Sequence, residues 1–154
     1  NQYLFKYIET RNFHSTKEMA IAANYAGKAI NISKTTGPHA LSYIFTSKYG
    51  IPHGRAVFMS LRFFLKINYD GRNKNKFLKE KFKRIFSILN IKTMKELEKI
   101  IDKLSRHYTV NIYKIRNEIK SNPYLFIKSV NIERLKNNPV KINLKSLKEI
   151  INSI

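Results

Sequence analysis

The feature that most constrains this chain is the stretch TTGPHALSYIFTSKYGIPHG at residues 35–54. Two of the four histidines, His39 and His53, lie in it, and each directly follows a proline. The apolar residues between them predict a short helix that ends at Gly50, because proline is favoured in the first turn of a helix and glycine just past its end. The stretch therefore predicts a helix-turn-helix that brings two imidazoles together.

The rest of the sequence shows helical periodicity, and no segment alternates with the period of a strand. We therefore predict an all-α fold, a bundle of seven to nine helices in one helical domain spanning residues 1–154. Capping boxes predict helix starts at Ser15 and Thr93, and Asn111, Pro123 and Asn143 mark later ones.

The helix that follows Ser15 is unusually rich in small residues up to about Ser33. Small side chains allow helices to approach closely, as they do at tightly packed interfaces. We therefore expect this helix to be central and well buried.

Composition narrows the function classes. The formal net charge of +20, with 30 Lys and Arg against 10 Asp and Glu, favours an acidic partner such as nucleic acid. The lysines are spread over the chain, which fits a general compositional bias better than a nucleic-acid surface. The absence of cysteine excludes disulfides and thiolate metal sites and fits a cytoplasmic protein. No apolar run approaches the roughly 20 residues of a membrane span.

The two histidines are the strongest candidates for chemistry, because neutral imidazole is the commonest protein ligand for divalent first-row metals. Their spacing requires the turn at residues 50–52 for the rings to converge. Spacing alone leaves open that both are caps or core residues.

The sequence motifs around the two histidines resemble those of a known protein family. Residues 38–40 (PHA) and 51–54 (IPHG), the small-residue segment at 18–31 and the segment VNIERLKNNP at 130–139 are similar to the C-terminal helical domain of the iron-containing alcohol dehydrogenases. That domain has a dehydroquinate synthase-like fold. The resemblance implies that His39 and His53 are metal ligands, with Fe²⁺ or Zn²⁺ as the metal.

In that family two further ligands, an aspartate and a histidine, come from an earlier helix, and a nucleotide-binding domain holds NAD(P). The resemblance implies that both would lie before Asn1, so we expect this chain to be a fragment whose partner is that domain or its homologue. We expect the chain to have no dehydrogenase activity by itself.

More narrowly, residues 35–43 are similar to the branch that includes phosphonoacetaldehyde reductases. Tyr43 stands where many members have another histidine, and the resemblance implies that its hydroxyl donates a hydrogen bond to substrate; a core tyrosine is the alternative. Arg55, Lys34 and Lys48 are predicted to bind an anionic group on a small aldehyde or alcohol. Solvated surface charge is the alternative for these three.

The leading hypothesis is the helical, metal-binding half of an iron-dependent alcohol dehydrogenase-like oxidoreductase. The alternatives are a basic all-α nucleic-acid-binding module and a degenerate, non-catalytic remnant. Tight, salt-sensitive binding to nucleic acid would favour the first alternative. Bound metal that is lost in His53→Ala would exclude the second.

Overall fold

A computed structural model describes residues 2–107 and 112–154, and these ranges are helical with no strand. The all-α prediction is confirmed. The described ranges contain ten α-helices, one more than the upper end of the predicted seven to nine. The helices are α1 (Gln2–Thr10), α2 (Phe13–Ile32), α3 (Gly37–Tyr49), α4 (His53–Asp70), α5 (Lys76–Leu89), α6 (Met94–Ser105), α7 (Tyr113–Ser121), α8 (Pro123–Lys128), α9 (Ile132–Lys136) and α10 (Leu144–Ser153). A 3-10 turn, Gly71–Lys74, follows α4.

The described helices form two compact units. The single helical domain over residues 1–154 stays a prediction. The first unit ends at Lys34 and the second runs from Thr35 to Ile154. The first unit consists of α1 and α2, which pack against each other, and the second holds the remaining helices. Both histidines of interest lie in the second unit.

The start of α2 differs from the predicted capping box. Asn12 is the N-cap residue, and its Oδ1 accepts a hydrogen bond of 2.9 Å from the backbone N–H of Ser15. The prediction of Ser15 as the N-cap is wrong. The side chain of Asn12 accepts the hydrogen bond of the Ser15 N–H, so the helix already begins at Phe13, two residues before the predicted cap.

The prediction that α2 is a buried central helix is also wrong in the structure. Ser15 is its one buried residue, and large apolar side chains such as Ile30 and Ile32 are exposed. Small residues permit close packing but bury little apolar area themselves, so they do not draw a helix into a core unless a partner helix covers them.

The core of the second unit surrounds α3. Its fully buried side chains include Phe45, Phe64 and Phe126, which come from α3, α4 and α8. Helices α7 and α10 close this core with buried isoleucines. A smaller cluster joins α5 and α6 to the outer side of α4, with Phe82 packed edge-on against Tyr69 at 5.2 Å between ring centroids. The helix bearing His39 is therefore held on several sides by apolar packing.

Most of the predicted helix starts are confirmed. Thr93 Oγ1 accepts from the Glu96 N–H at 3.2 Å, and Asn143 Oδ1 accepts from the Ser146 N–H at 2.8 Å. Pro123 is the first residue of α8. The cap predicted at Asn111 lies outside the described residues. No helix within residues 2–107 or 112–154 combines the length and the apolar run needed to cross a bilayer.

Candidate metal centre

The structure brings His39 and His53 together. His39 is the third residue of α3 and is half-buried, and His53 is the first residue of α4 and is exposed. Their ring centroids lie 5.4 Å apart, with the ring planes inclined by 58°. The predicted convergence of the two imidazoles is thus what the fold produces.

The turn between α3 and α4 sets this geometry. Gly50 has a left-handed backbone, with φ of 64°, and its N–H donates to the Thr46 carbonyl at 3.1 Å. The next N–H, from Ile51, donates to the Phe45 carbonyl at 3.2 Å. The bond from Gly50 to Thr46 is that of the αL type of helix ending, for which glycine is favoured because it has no Cβ to strain in the left-handed region. The buried Ile51 side chain then anchors the turn and directs His53 back towards α3.

The environment of His39 favours the neutral imidazole. Burial lowers the pKa of His39 below its ordinary value of 6.5, and the nearby positive charges of His53 and Arg134 lower that pKa further. A neutral ring nitrogen is the form that binds a metal ion. His39 is therefore available as a ligand at neutral pH.

We expect the Cε1 proton of His39 to titrate with a midpoint below 6.5 in the metal-free chain, because its pKa is lowered. Between that midpoint and 6.5 the unfolded chain binds more protons at this position, so stability falls as the pH drops through this window. His53→Gln should raise the midpoint only in part, because burial is the larger cause. An NMR pH titration measures both; an unchanged midpoint in His53→Gln would show that the rings do not interact.

Tyr43 lies one turn after His39 on the same side of α3. Its ring centroid is 6.4 Å from that of His53, and it is half-buried. The predicted substrate contact of its hydroxyl stays a prediction, and the position beside both imidazoles is compatible with it.

Arg134 joins this cluster and was not predicted. Its guanidinium carbon lies 5.2 Å from the Tyr43 ring centroid, and its Nη1 donates a hydrogen bond of 3.1 Å to Thr35 Oγ1. Its charge is close enough to His39 to lower the pKa of that residue. The signal in the sequence is weak: Arg134 lies in the segment 130–139, whose likeness to the family assigns no role to any one residue.

Helix α9, which carries Arg134, is tied to the start of α3. The Asn131 N–H donates to the Ala40 carbonyl at 3.0 Å, and Asn137 Nδ2 donates to the Thr35 carbonyl at 3.1 Å. Leu135 packs in the core. These contacts hold the short helix at both ends, so the backbone of Arg134 is held in place near the start of α3.

The three cations predicted to bind substrate lie in different surroundings. Arg55 is in the first turn of α4 and lines a groove with Phe58 and Asp102. The ammonium of Lys48 is bound to the carboxylate of Glu118 on α7. Lys34 is the last residue of the first unit, whereas the histidines belong to the second. Their binding of substrate stays a prediction.

Two imidazoles at this spacing suit a metal ion as part of its ligand set. An ion bonded to one nitrogen of each ring at about 2.1 Å, in tetrahedral geometry, holds the ring centroids roughly 5 Å apart. No cluster of three or more His, Cys, Asp or Glu occurs in the part of the chain that the structure describes. The fit is therefore that of two ligands out of a larger set. The described ranges do not fit the NAD(P) that the resemblance implies, because they contain no strand followed by a glycine-rich turn that could bind its pyrophosphate.

The comparison with known families decides the assignment. The profile of the Fe-containing alcohol dehydrogenase family, C-terminal part, matches residues 1–154. The chain belongs to the Fe-containing alcohol dehydrogenase family. The family assignment that the two Pro-His turns predicted is thus confirmed.

One protein that is similar to this member of the Fe-containing alcohol dehydrogenase family is the 4-hydroxybutyrate dehydrogenase of Clostridium kluyveri. The two are 29% identical over 105 residues, which are 66% of this chain and 28% of the relative. The chain therefore matches under a third of that relative's length. No solved structure matches the chain significantly.

Proposed function

We propose that this chain supplies His39 and His53 to the metal centre of an oxidoreductase that interconverts aldehydes and alcohols. The observation that carries the proposal is the 5.4 Å spacing of the two ring centroids, in a chain that matches the family profile over residues 1–154. The family is Fe-containing, so iron is the first candidate, with zinc as the other ion that suits imidazole ligands.

A divalent ion held by His39 and His53 would act as a Lewis acid on the carbonyl oxygen of an aldehyde. The protein's own part is to keep the His39 imidazole neutral and to hold both rings in place. Burial of His39 and the rigid turn at Gly50 serve these ends. Tyr43 would donate a hydrogen bond from its hydroxyl to the substrate oxygen, from a ring 6.4 Å from that of His53.

We further propose that the hydride donor, NAD(P)H, and the remaining metal ligands are held by a part of the enzyme other than residues 1–154. A chain matching 28% of 4-hydroxybutyrate dehydrogenase is consistent with such a division. The substrate would be a small aldehyde with an anionic group, as the name of that relative and the likeness to phosphonoacetaldehyde reductases both suggest.

The test is metal binding by the purified chain, followed through the histidine NMR signals while Zn²⁺ is added. We expect His39 and His53 to shift together and saturate together. Because removing even a partner of a metal ligand typically costs about 10- to 100-fold in affinity, His39→Ala or His53→Ala should weaken binding by more than about tenfold.

His107→Ala is the matched control, since His107 is an exposed histidine just after α6 in the same unit. It should leave Zn²⁺ binding unchanged. Binding that depends equally on His107, or that survives the loss of His53, would contradict the proposal and favour a remnant without a metal site.

A further inference from the structure

We propose that Arg134 is the residue that binds the anionic end of the substrate, an oxyanion group such as a carboxylate or phosphonate, beside the two histidines. This inference deepens the proposed function and rests on it for the identity of the substrate. Arg134 is proposed from its position in the fold, whereas the earlier candidate cations were chosen because they are near the histidines in the sequence.

The guanidinium of Arg134 is held in place before any ligand arrives. One N–H is committed to Thr35 Oγ1 at 3.1 Å, and the group lies over the face of Tyr43 at 5.2 Å. An arginine has five N–H donors in a planar fork, so most of them stay available for a second partner. A preorganised fork binds a carboxylate or phosphonate with two parallel hydrogen bonds and loses little side-chain entropy in doing so.

No carboxylate neutralises Arg134 within residues 2–107 and 112–154. Of the acidic groups there, Glu118 is paired with Lys48, and Glu133, the direct neighbour of Arg134, is paired with Lys136. The other two ion pairs in those ranges also involve other cations. Arg134 is half-buried, and a partly desolvated positive charge without a counter-charge attracts an external anion.

The neighbourhood of Arg134 also explains why the ligand should be anionic. A metal ion at His39 and His53 would add further positive charge within reach of the guanidinium. Like charges in a partly buried site repel, and an anion that lies between them is attracted by both. A substrate with a carbonyl oxygen at one end and an oxyanion at the other satisfies the two positive centres together.

The other candidate cations are less suited to this role. The ammonium of Lys48 is already on Glu118, and Arg55 is on an exposed part of α4 that lines a groove with Phe58. Arg134, by contrast, lies against Tyr43 and is close enough to His39 to act on its charge.

The experiment measures anion binding and its coupling to metal binding in the full 154-residue chain. Methylphosphonate and propionate are titrated separately, and NMR follows the signals of Arg134, Thr35 and Tyr43, first without metal and then with Zn²⁺. We expect these signals to move, and Arg134→Gln to weaken anion binding by at least about tenfold, as the loss of a charged hydrogen-bonding partner implies. The stronger of the two probes identifies the anionic group.

Coupling separates binding from a structural role. Zn²⁺ should raise the anion affinity by about fivefold or more, and the anion should raise the Zn²⁺ affinity by the same factor. Arg134→Gln should abolish the coupling between the two affinities. Arg134→Lys should keep part of this coupling, because lysine retains the positive charge but not the planar set of N–H donors. A residue that only supports α9 would not produce coupling in either direction.

Arg72→Gln is the matched control. Arg72 also lies over a tyrosine, 3.5 Å from the Tyr69 ring centroid, and donates to the Tyr69 carbonyl at 2.7 Å. It has the same charge and a similar setting, but not beside the histidines. Its replacement should leave anion affinity within about twofold of the original, by the usual size of surface electrostatic effects.

The outcomes distinguish this inference from the proposed function. If Zn²⁺ binds at the histidines but Arg134→Gln leaves anion affinity unchanged, the inference is overturned and the metal site stands. If the anion binds through Arg134 and Zn²⁺ does not bind at all, the metal proposal is overturned and the anion site stands. If the anion moves no signal of Thr35, Tyr43 or Arg134 in the unsubstituted chain, the inference fails irrespective of how any variant folds.

Discussion

Replacing Gly37 by alanine is expected to lower the free energy of unfolding by about 1–3 kcal/mol, the usual cost of overpacking a core. Gly37 is buried at the start of α3, and a Cβ on it would overlap the ring of Phe64, which is itself 1% exposed. The ring is enclosed by the apolar core, so it cannot turn out into solvent. Because His39 is two residues further on, relief of the clash should also displace that imidazole and weaken Zn²⁺ binding.

Chemical denaturation of Gly37→Ala measures the loss of stability, and the histidine NMR titration measures the loss of metal affinity. Gly54→Ala is the matched control: it also lies beside a candidate ligand, at the start of α4, but a Cβ there has no neighbour within 4 Å. The control should be neutral or slightly stabilising, since alanine favours helix over glycine. Equal stability of the two variants would show that Phe64 does not pack against Gly37.

Phe126→Ala is expected to cost about 3–5 kcal/mol, the range for removing a buried aromatic side chain. Phe126 is fully buried in α8, and its ring centroid lies 6.1 Å from that of Phe45 and 6.3 Å from that of Tyr49. Those two partners lie in the second half of α3, just before the Gly50 turn. The cavity would therefore loosen the end of the helix that directs the chain to His53.

Tyr124→Ala controls for changes to the short helix itself, because Tyr124 is on α8 and 60% exposed. Its replacement should change the free energy of unfolding by no more than about 0.5 kcal/mol. Thermal or denaturant unfolding of both variants provides the measurement. A small effect of Phe126→Ala would mean that α8 is not part of the core that supports α3.

The histidine pair could be predicted because its information is local. Proline before each histidine and glycine between them specify two helix starts and one helix end, and these three signals fix the turn that makes the rings converge. The structure bears this out with φ of 64° at Gly50. The caps at Thr93 and Asn143 were predictable for the same reason, since each involves hydrogen bonds within one turn of helix.

Burial of α2 could not be predicted from its small residues. Such residues indicate that a helix can pack closely, but burial depends on which other elements cover it. In its unit α2 is largely exposed, with Ile32 91% accessible. The cap at Asn12 was missed for a subtler reason: Asn12 and Ser15 are both good N-cap residues, and only the structure shows which one accepts the N–H.

The position of Arg134 beside Tyr43 and Thr35 could not be predicted, because it comes from tertiary contacts. Arg134 lies on a helix of five residues, too short for a clear periodic pattern, and its partner Thr35 is 99 residues away along the chain. Sequence proximity favoured Arg55, Lys34 and Lys48 instead. The partner of Lys48 is Glu118, which is also remote in sequence. Charged residues acquire partners from the whole fold, and nearness in sequence is a poor guide to which cation is available for a ligand.

The hairpin of α3 and α4 has a consequence for how the centre forms during folding. His39 and His53 are carried by consecutive helices, so their approach requires only a short loop to close, which is entropically cheap and fast. The contact between Arg134 and Thr35, by contrast, spans 99 residues and forms only when the end of the chain docks. A folding molecule would thus form its pair of imidazoles before Arg134 reaches Thr35. On the two proposals made above, the metal ligands would be in place before the group that binds the anion.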